Sequence, residues 1–404
     1  MTPIKNFLKR RYIGNRKKKN KLRIRNYFRP KMKINNINNF RINLLDSFRG
    51  IAILLVLFFH FFSRYTILYP YHDKCDFFSY GKMGVHFFFI ISGFVILYTL
   101  ENTNDFVTFW KKRMIRLLPS MLVASILTYL IFNLFDSGFL FPTSHFFKNI
   151  LASITFIPPD LLASVFNLKV ELDYISGSYW SLWPEIQFYL FISSIYFFCK
   201  NKFLILFFSL SFIGMLINFI ISNVLIKDNN FIKAVKSYLI VFNLIPTLPY
   251  FCFGVIFYLM YKNKILNKEV PFYVKIFSVL LLILQIFNYY TVPLKLALFF
   301  LFFTLFVILI VNPKVLNFLE NKILQRIGVS SYFLYLIHEN IGVLIINKYG
   351  VFFTNYEFIF PLGLILFFAV ISVFYTYNIE KLMNNYLKKV FLKKRNSISE
   401  KNVN

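Results

Sequence analysis

The chain has 404 residues, of which 58% are hydrophobic, 21% aromatic and only 16% charged, and its mean hydropathy is +0.60. A soluble domain carries about 45–50% apolar and about 25% charged residues, so this composition excludes a soluble enzyme and a disordered scaffold. Forty-six Lys and Arg against 17 Asp and Glu leave a formal charge of +29; in a chain with long apolar runs that excess reads as membrane topology, not nucleic-acid binding, because basic residues collect in cytoplasmic loops and near anionic headgroups.

Residues 1–43 form a basic arm, KKKNKLRIRNYFRPKMK at its centre, with no acid before Asp46, and are expected in the cytoplasm. No small-residue cleavage site follows the first apolar run, which reads as a retained anchor. Windows of roughly 20 apolar residues, the length a membrane helix needs, lie near 44–63, 83–100, 117–135, 181–199, 203–225, 238–261, 272–290, 293–311, 327–347 and 357–379. The predicted fold class is therefore all-α, a polytopic transmembrane bundle of about ten helices over 44–380, followed by a basic tail over 381–404.

An even number of spans puts both termini on one side. Lys111, Lys112, Arg113, Arg116, Lys200, Lys202, Lys262, Lys264, Lys268, Lys314, Lys322 and Arg326 all fall in connections on that side, which the positive-inside rule assigns to the cytoplasm. Lys227, Lys233 and Lys236 run against the pattern. The longest interruption, 136–180, is an expected outer loop; within it 146–157 is too short to cross and should lie at the interface or dip back. Cys75, Cys199 and Cys252 have no CxxC or Cys/His spacing, so neither a disulfide framework nor a metal site is predicted.

Ionisable side chains inside apolar spans are costly and mark function by default. In LLDSFRGIAILLVLFFHFF, Arg49 and His60 stand eleven residues apart, about 20° apart on one helix face with ~16 Å of rise between them. Arg49 reads either as a snorkelling interfacial residue or as part of a lined cavity; His60 reads as a satisfied core residue or as a general base. His86 is expected near the outer boundary of the second span, with Ser92 and Gly93 deeper, where small residues either pack helices closely or admit a threaded ligand. Arg113 and Arg116 in KKRMIRLLPS share a helix face and suit phosphate, or merely obey the positive-inside rule. Glu185 is expected at the depth of His60, able to orient an imidazole or to hold a salt bridge with Arg64 or Lys82. His338 and Glu339 lie in the ninth span on faces the spacing leaves open.

Taken in order, INLLDSFRGIAILLVLFFH, GVHFFFIISGF, KKRMIRLLPS, SYWSLWPEIQFYL and GVSSYFLYLIH resemble the acyltransferase-3 family of integral-membrane O-acyltransferases over roughly 42–380. The resemblance implies ten transmembrane helices in the inner (plasma) membrane, both termini cytoplasmic, and transfer of an acyl group, usually acetyl from acetyl-CoA, to a hydroxyl of a cell-envelope or secreted glycan. Carried onto this chain, the family's arginine-to-histidine motif is Arg49 and His60, its RxxR is Arg113 and Arg116, and its glutamate is Glu185.

The expected roles follow. His60 and Glu185 form the catalytic pair, with His60 a general base or a transient acyl carrier. Arg49, Arg113 and Arg116 hold the phosphates of acetyl-CoA, and His86, Ser92 and His338 contact substrate. Pro184, directly before Glu185, is expected to bend the fourth span. The expected partners are the lipid bilayer and a glycan or lipid-linked sugar, not nucleic acid; a protein that handles the acceptor outside the membrane would be separate. A transporter or flippase of lipid-linked sugars is the rival class, and such proteins often show internal repeats that the two halves here lack.

Overall fold

The structure, a computed structural model, describes residues 43–71, 76–223, 242–356 and 358–392. Most of the basic arm and the end of the tail, Cys75, and the exceptional lysines Lys227, Lys233 and Lys236 lie outside the described residues. The described chain is all-α. Its long helices are α1 (Asn43–Phe62), α2 (Met83–Glu101), α3 (Phe106–Phe135), α6 (Leu182–Phe198), α7 (Phe203–Asn223), α8 (Leu244–Ile265), α9 (Phe272–Tyr289), α10 (Pro293–Val311) and α14 (Ile359–Tyr375). Between α3 and α6 come two short helices, α4 (Phe147–Ile154) and α5 (Pro159–Val165), and the ninth apolar window holds α11 (Lys322–Val329), α12 (Ser331–Ile337) and α13 (Glu339–Tyr349). A π-turn at Thr376–Glu380 joins α14 to α15 (Lys381–Phe391).

Among the described residues eight helices are long and apolar enough to cross a membrane. The other two windows differ for local reasons. The fourth is the 17-residue α6, one turn shorter than a full crossing. The ninth is interrupted at His338, whose backbone stays helical: its Nδ1 lies 2.7 Å from the Tyr335 carbonyl, competing for the oxygen that would otherwise accept from the backbone N–H one turn on. Backbone pairing runs on through the interruption, from His338 N to Leu334 O and from Gly342 N to His338 O, so α12 and α13 continue one path.

Large apolar side chains face outward along the helices, among them Leu190, Leu301, Leu366 and Phe374. That surface is unfavourable in water and suited to lipid. Inside, α2 and α8 cross backbone to backbone. A Cβ on Gly93 would meet the Phe251 carbonyl at 2.2 Å, and one on Gly254 would meet the Ile90 carbonyl at 2.0 Å. The same economy seats α11 on α1, where a Cβ on Gly328 would meet the Asp46 carbonyl at 1.7 Å. Of the two readings of the Ser92-Gly93 pair, close packing therefore holds for Gly93.

Pro184 falls in the first turn of α6, where the missing N–H has no intrahelical partner to lose; the expected bend is absent and α6 runs unbroken past Glu185. Segment 147–154 is an amphipathic helix of two turns, packed on α3. The 136–180 connection is tied down by polar contacts: Asp136 accepts from Leu140 N and His145 Nε2, at 3.0 and 2.9 Å, and these hydrogen bonds, set against the opposing effect of burial, hold its carboxyl below the usual range.

Candidate active site

The site is built around the C-terminal end of α1. A helix end leaves its last carbonyls without intrahelical donors. Here the Tyr69 hydroxyl donates to the His60 carbonyl and the Tyr71 hydroxyl to the Phe61 carbonyl. Both phenols are buried, so the turn that carries His60 is fixed from outside the helix.

His60, 8% exposed, meets the ninth window at the interruption. Its Nδ1 lies 3.4 Å from Glu339 Oε1, an ion-pair distance short of hydrogen-bond geometry. His338 packs edge-on against it, ring centres 4.8 Å apart. Because His338 Nδ1 is taken by the Tyr335 carbonyl, that proton sits on Nδ1 and leaves Nε2 as an acceptor, buried and without a partner among the described residues. Glu339 Oε1 also accepts the Tyr65 hydroxyl at 2.7 Å. Burial, followed by the neighbouring Glu339 charge, raises the Tyr65 phenol well above its usual value, so Tyr65 stays a donor.

The 136–180 connection closes over this group. A Cβ on Gly177 would meet the two Glu339 carboxylate oxygens at 3.0 and 3.1 Å, so any side chain there would press on the carboxylate and require it to shift by a few tenths of an ångström. Asn340 donates to Ser144 Oγ at 2.9 Å and accepts from Gly177 N at 3.2 Å, and Tyr335 bridges Ser181 Oγ and the Ser178 carbonyl at 2.7 and 2.8 Å.

On the other side of Tyr335 lies a cavity of ≈ 90 Å³ that receives Arg49, Arg113, Arg116, Ser92 and Glu185 from four helices. Arg113 is buried; it donates to Thr99 Oγ1 at 2.6 Å and rests on the rings of Phe109 and Tyr189, yet its Nε has no partner. Arg49 touches Asp46 at 3.4 Å and also faces a second, mainly apolar vestibule of ≈ 620 Å³ between α1, α2, α8 and α10, at the end of the bundle where α1 begins. Arg49 therefore stands between the two spaces.

The expected residues thus fall into three places. Arg49, Arg113, Arg116, Ser92 and Glu185 share the cationic cavity. His60 and His338 share the buried group behind Tyr335. His86 belongs to neither: it stacks on Tyr250 at 4.2 Å between ring centres, nearly parallel, with Nδ1 3.2 Å from Met83 Sδ. Glu185 does not reach His60. It accepts from Ser92 Oγ at 2.9 Å and from the Tyr189 hydroxyl, and the carboxylate beside His60 is Glu339. The signal for Glu339 was its place directly after a histidine in an apolar run; Tyr65, Tyr335 and Asn340 carried no signal of their own, being ordinary residues until the chain folds back.

Buried histidine, carboxylate and guanidinium groups converge inside a helical bundle with an apolar outer surface, the setting of a functional site in a multi-pass membrane protein. The family model described as an acyltransferase domain matches residues 42–377, and the chain belongs to this acyltransferase-3 family: it is a membrane acyltransferase. No curated protein and no solved structure gives a significant match.

Proposed function

We propose that the protein is an O-acetyltransferase of the plasma membrane that moves acetyl from acetyl-CoA to a hydroxyl of a cell-envelope or secreted glycan. The observation that carries this reading is the relation of two groups: a three-guanidinium cavity walled by Tyr335, and a buried His60–Glu339 pair that connects to Tyr335 through His338, whose ring centre lies 4.8 Å from that of His60 and 5.3 Å from that of Tyr335. With both termini cytoplasmic, as the placement of basic residues favours, the vestibule beside Arg49 opens to the cytoplasm and the His60 end faces outward.

The donor set fits a nucleotide diphosphate. Guanidiniums offer paired N–H groups matched to phosphate oxygens, and the unpartnered Arg113 Nε is the buried donor such an anion would satisfy. The donor supplies an acyl thioester whose pantetheine arm is long and thin enough for an apolar passage. Glu185 offsets part of the positive charge in the cavity and positions Ser92 and Tyr189.

His60 acts as the general base. With Nδ1 turned to Glu339, Nε2 is free to take the proton of the acceptor hydroxyl as its oxygen attacks the thioester carbonyl. The C–O bond forms, the C–S bond breaks, and His60 returns the proton to the departing thiolate, so that ester and free thiol are the products. Glu339 holds the imidazole and stabilises its charged form, and Tyr65 holds Glu339.

The test is transfer of radiolabelled acetyl from acetyl-CoA to a cell-envelope glycan fraction by the purified protein in nanodiscs, wild type beside His60→Ala. Label on glycan with wild type alone is the expected result. Equal transfer by the variant removes His60 from the chemistry, and absence of both donor binding and transfer removes the reading.

A further inference from the structure

At the opposite end of the bundle from the Arg49 vestibule lies a cleft of ≈ 480 Å³ that the mechanism leaves unused. It is formed where α2 begins, α8 begins and α9 ends, with the 3-10 turn Gly177–Ser181 along one side. Its walls are polar and aromatic. Trp180 presents its indole with 46% exposure, Tyr250 is covered by His86 and hydrogen-bonded through its hydroxyl to Tyr289, and Thr247 adds a hydroxyl.

The decisive residue is Gln285. It is 1% exposed, lines the cleft, and neither its amide nitrogen nor its amide oxygen has a partner among the described residues. A buried amide left without partners is strongly disfavoured, and such a group calls for an explanation. A primary amide offers a donor and an acceptor side by side, the pattern that two neighbouring hydroxyls of a sugar ring satisfy at once. An aromatic face at the rim receives the apolar C–H face of the same ring. A lipid tail could use the indole but would leave Gln285 unsatisfied.

We propose that this cleft binds a sugar ring of the acceptor, at a position other than the one acylated, with Trp180 as the stacking platform and Gln285 as the hydroxyl reader. The proposal rests on the reading of the acceptor as a glycan and gives it a second point of attachment. The link to the reaction is the turn Gly177–Ser181 itself. Gly177 touches Glu339, Ser178 and Ser181 hold Tyr335, and Trp180 of the same turn lines the cleft. A ring seated on Trp180 therefore engages the segment that closes over His60.

The test is a titration of the full-length protein in nanodiscs with fragmented cell-envelope glycan, followed by tryptophan fluorescence, for wild type, Trp180→Phe and Gln285→Leu. Monodispersity and hydrolysis of acetyl-CoA without acceptor report that each variant is intact. The expected result is a saturable change in wild type, absent in Trp180→Phe and displaced about tenfold to weaker binding in Gln285→Leu, the scale of one buried hydrogen bond. Identical titrations in wild type and Gln285→Leu overturn the proposal, as does the absence of any fluorescence change, whether or not label is transferred. Binding through Trp180 and Gln285 without acyl transfer leaves the sugar site standing and removes the O-acetyltransferase reading instead.

Discussion

The imidazole of His60, near the end of α1, and the carboxylate of Glu339, at the start of α13, face one another at 3.4 Å. The pair joins α1 to the ninth window beside His338, and Gly177 of the connection between α3 and α6 lies against it, so three stretches distant in sequence must meet to form it. Glu339→Gln keeps the shape and removes the charge. Its transfer rate should fall about 10²–10⁴-fold, the usual span of general acid–base assistance, with donor KM unchanged. Steady-state kinetics check this; an unaltered kcat would deny Glu339 its orienting role. Tyr65→Phe should cost less, about tenfold or under, for one lost hydrogen bond.

Glu185→Gln should behave differently, because Glu185 sits among the guanidiniums and not at His60. The expected change is in apparent affinity for the donor, with kcat at saturating donor within a few-fold of wild type. A loss in kcat as deep as that of Glu339→Gln would place Glu185 at the reaction centre.

Arg113→Ala and Arg116→Ala should each raise donor KM by roughly 10–100-fold, the worth of a charge-assisted hydrogen bond of about 1.5–3 kcal/mol. For the more exposed Arg116 the residual binding should weaken further with added salt. Donor binding measured at low and high ionic strength decides it, and unchanged affinity would return both residues to a topological role.

Two glycines separate packing from propensity. Gly254→Val should abolish accumulation of folded protein or lower its thermal stability sharply, since a Cβ there would meet the Ile90 carbonyl at 2.0 Å and overpacking a tight crossing costs about 1–3 kcal/mol or more. Gly214→Ala, in α7, has nothing within 4 Å of the added carbon and should be neutral or stabilising by about 0.5–1 kcal/mol. Thermal melts in detergent compare them.

Asp136 gives a pH test outside the membrane spans. Its carboxyl is held below the usual range by hydrogen bonds from His145 and from Leu140 and Phe141 N–H, which outweigh burial. A group depressed in the folded state stabilises fully above its unfolded pKa of about 3.9 and loses that contribution as pH falls through the folded value. The 136–180 connection should therefore resist an acid-tolerant protease at pH 5 and be cut faster as the pH falls below that unfolded value; Asp136→Asn should show the faster cutting already at pH 5.

Much of this architecture is legible in the linear chain because lipid imposes a simple rule on it. Every spanning backbone must satisfy its own hydrogen bonds, so runs of apolar residues announce helices, and eight of the ten predicted windows hold long apolar helices, although the third begins eleven residues before its window, at Phe106. Arg49, Arg113 and Arg116 were visible for the same reason: charge in an apolar run needs a partner or a cavity, and the three meet in one. The two windows that differ, 181–199 and 327–347, contain the functional irregularities, a shorter helix with Pro184 in its first turn and an interruption at His338. Hydropathy sums over a window and is blind to both.

The partner of His60 was decided by tertiary structure alone. Glu185 and Glu339 are both acids in apolar runs, and helical periodicity places each on a face of its own helix without saying which helix that face meets. The choice was made by the crossing of α2 on α8 at Gly93 and Gly254, which helps set how α2 and α6 face the arginines, and by the Tyr69 and Tyr71 caps, which fix His60 toward α13. Lipid drives apolar residues into helices wherever they occur, but only close packing of specific surfaces brings a carboxylate to one imidazole and keeps the other away.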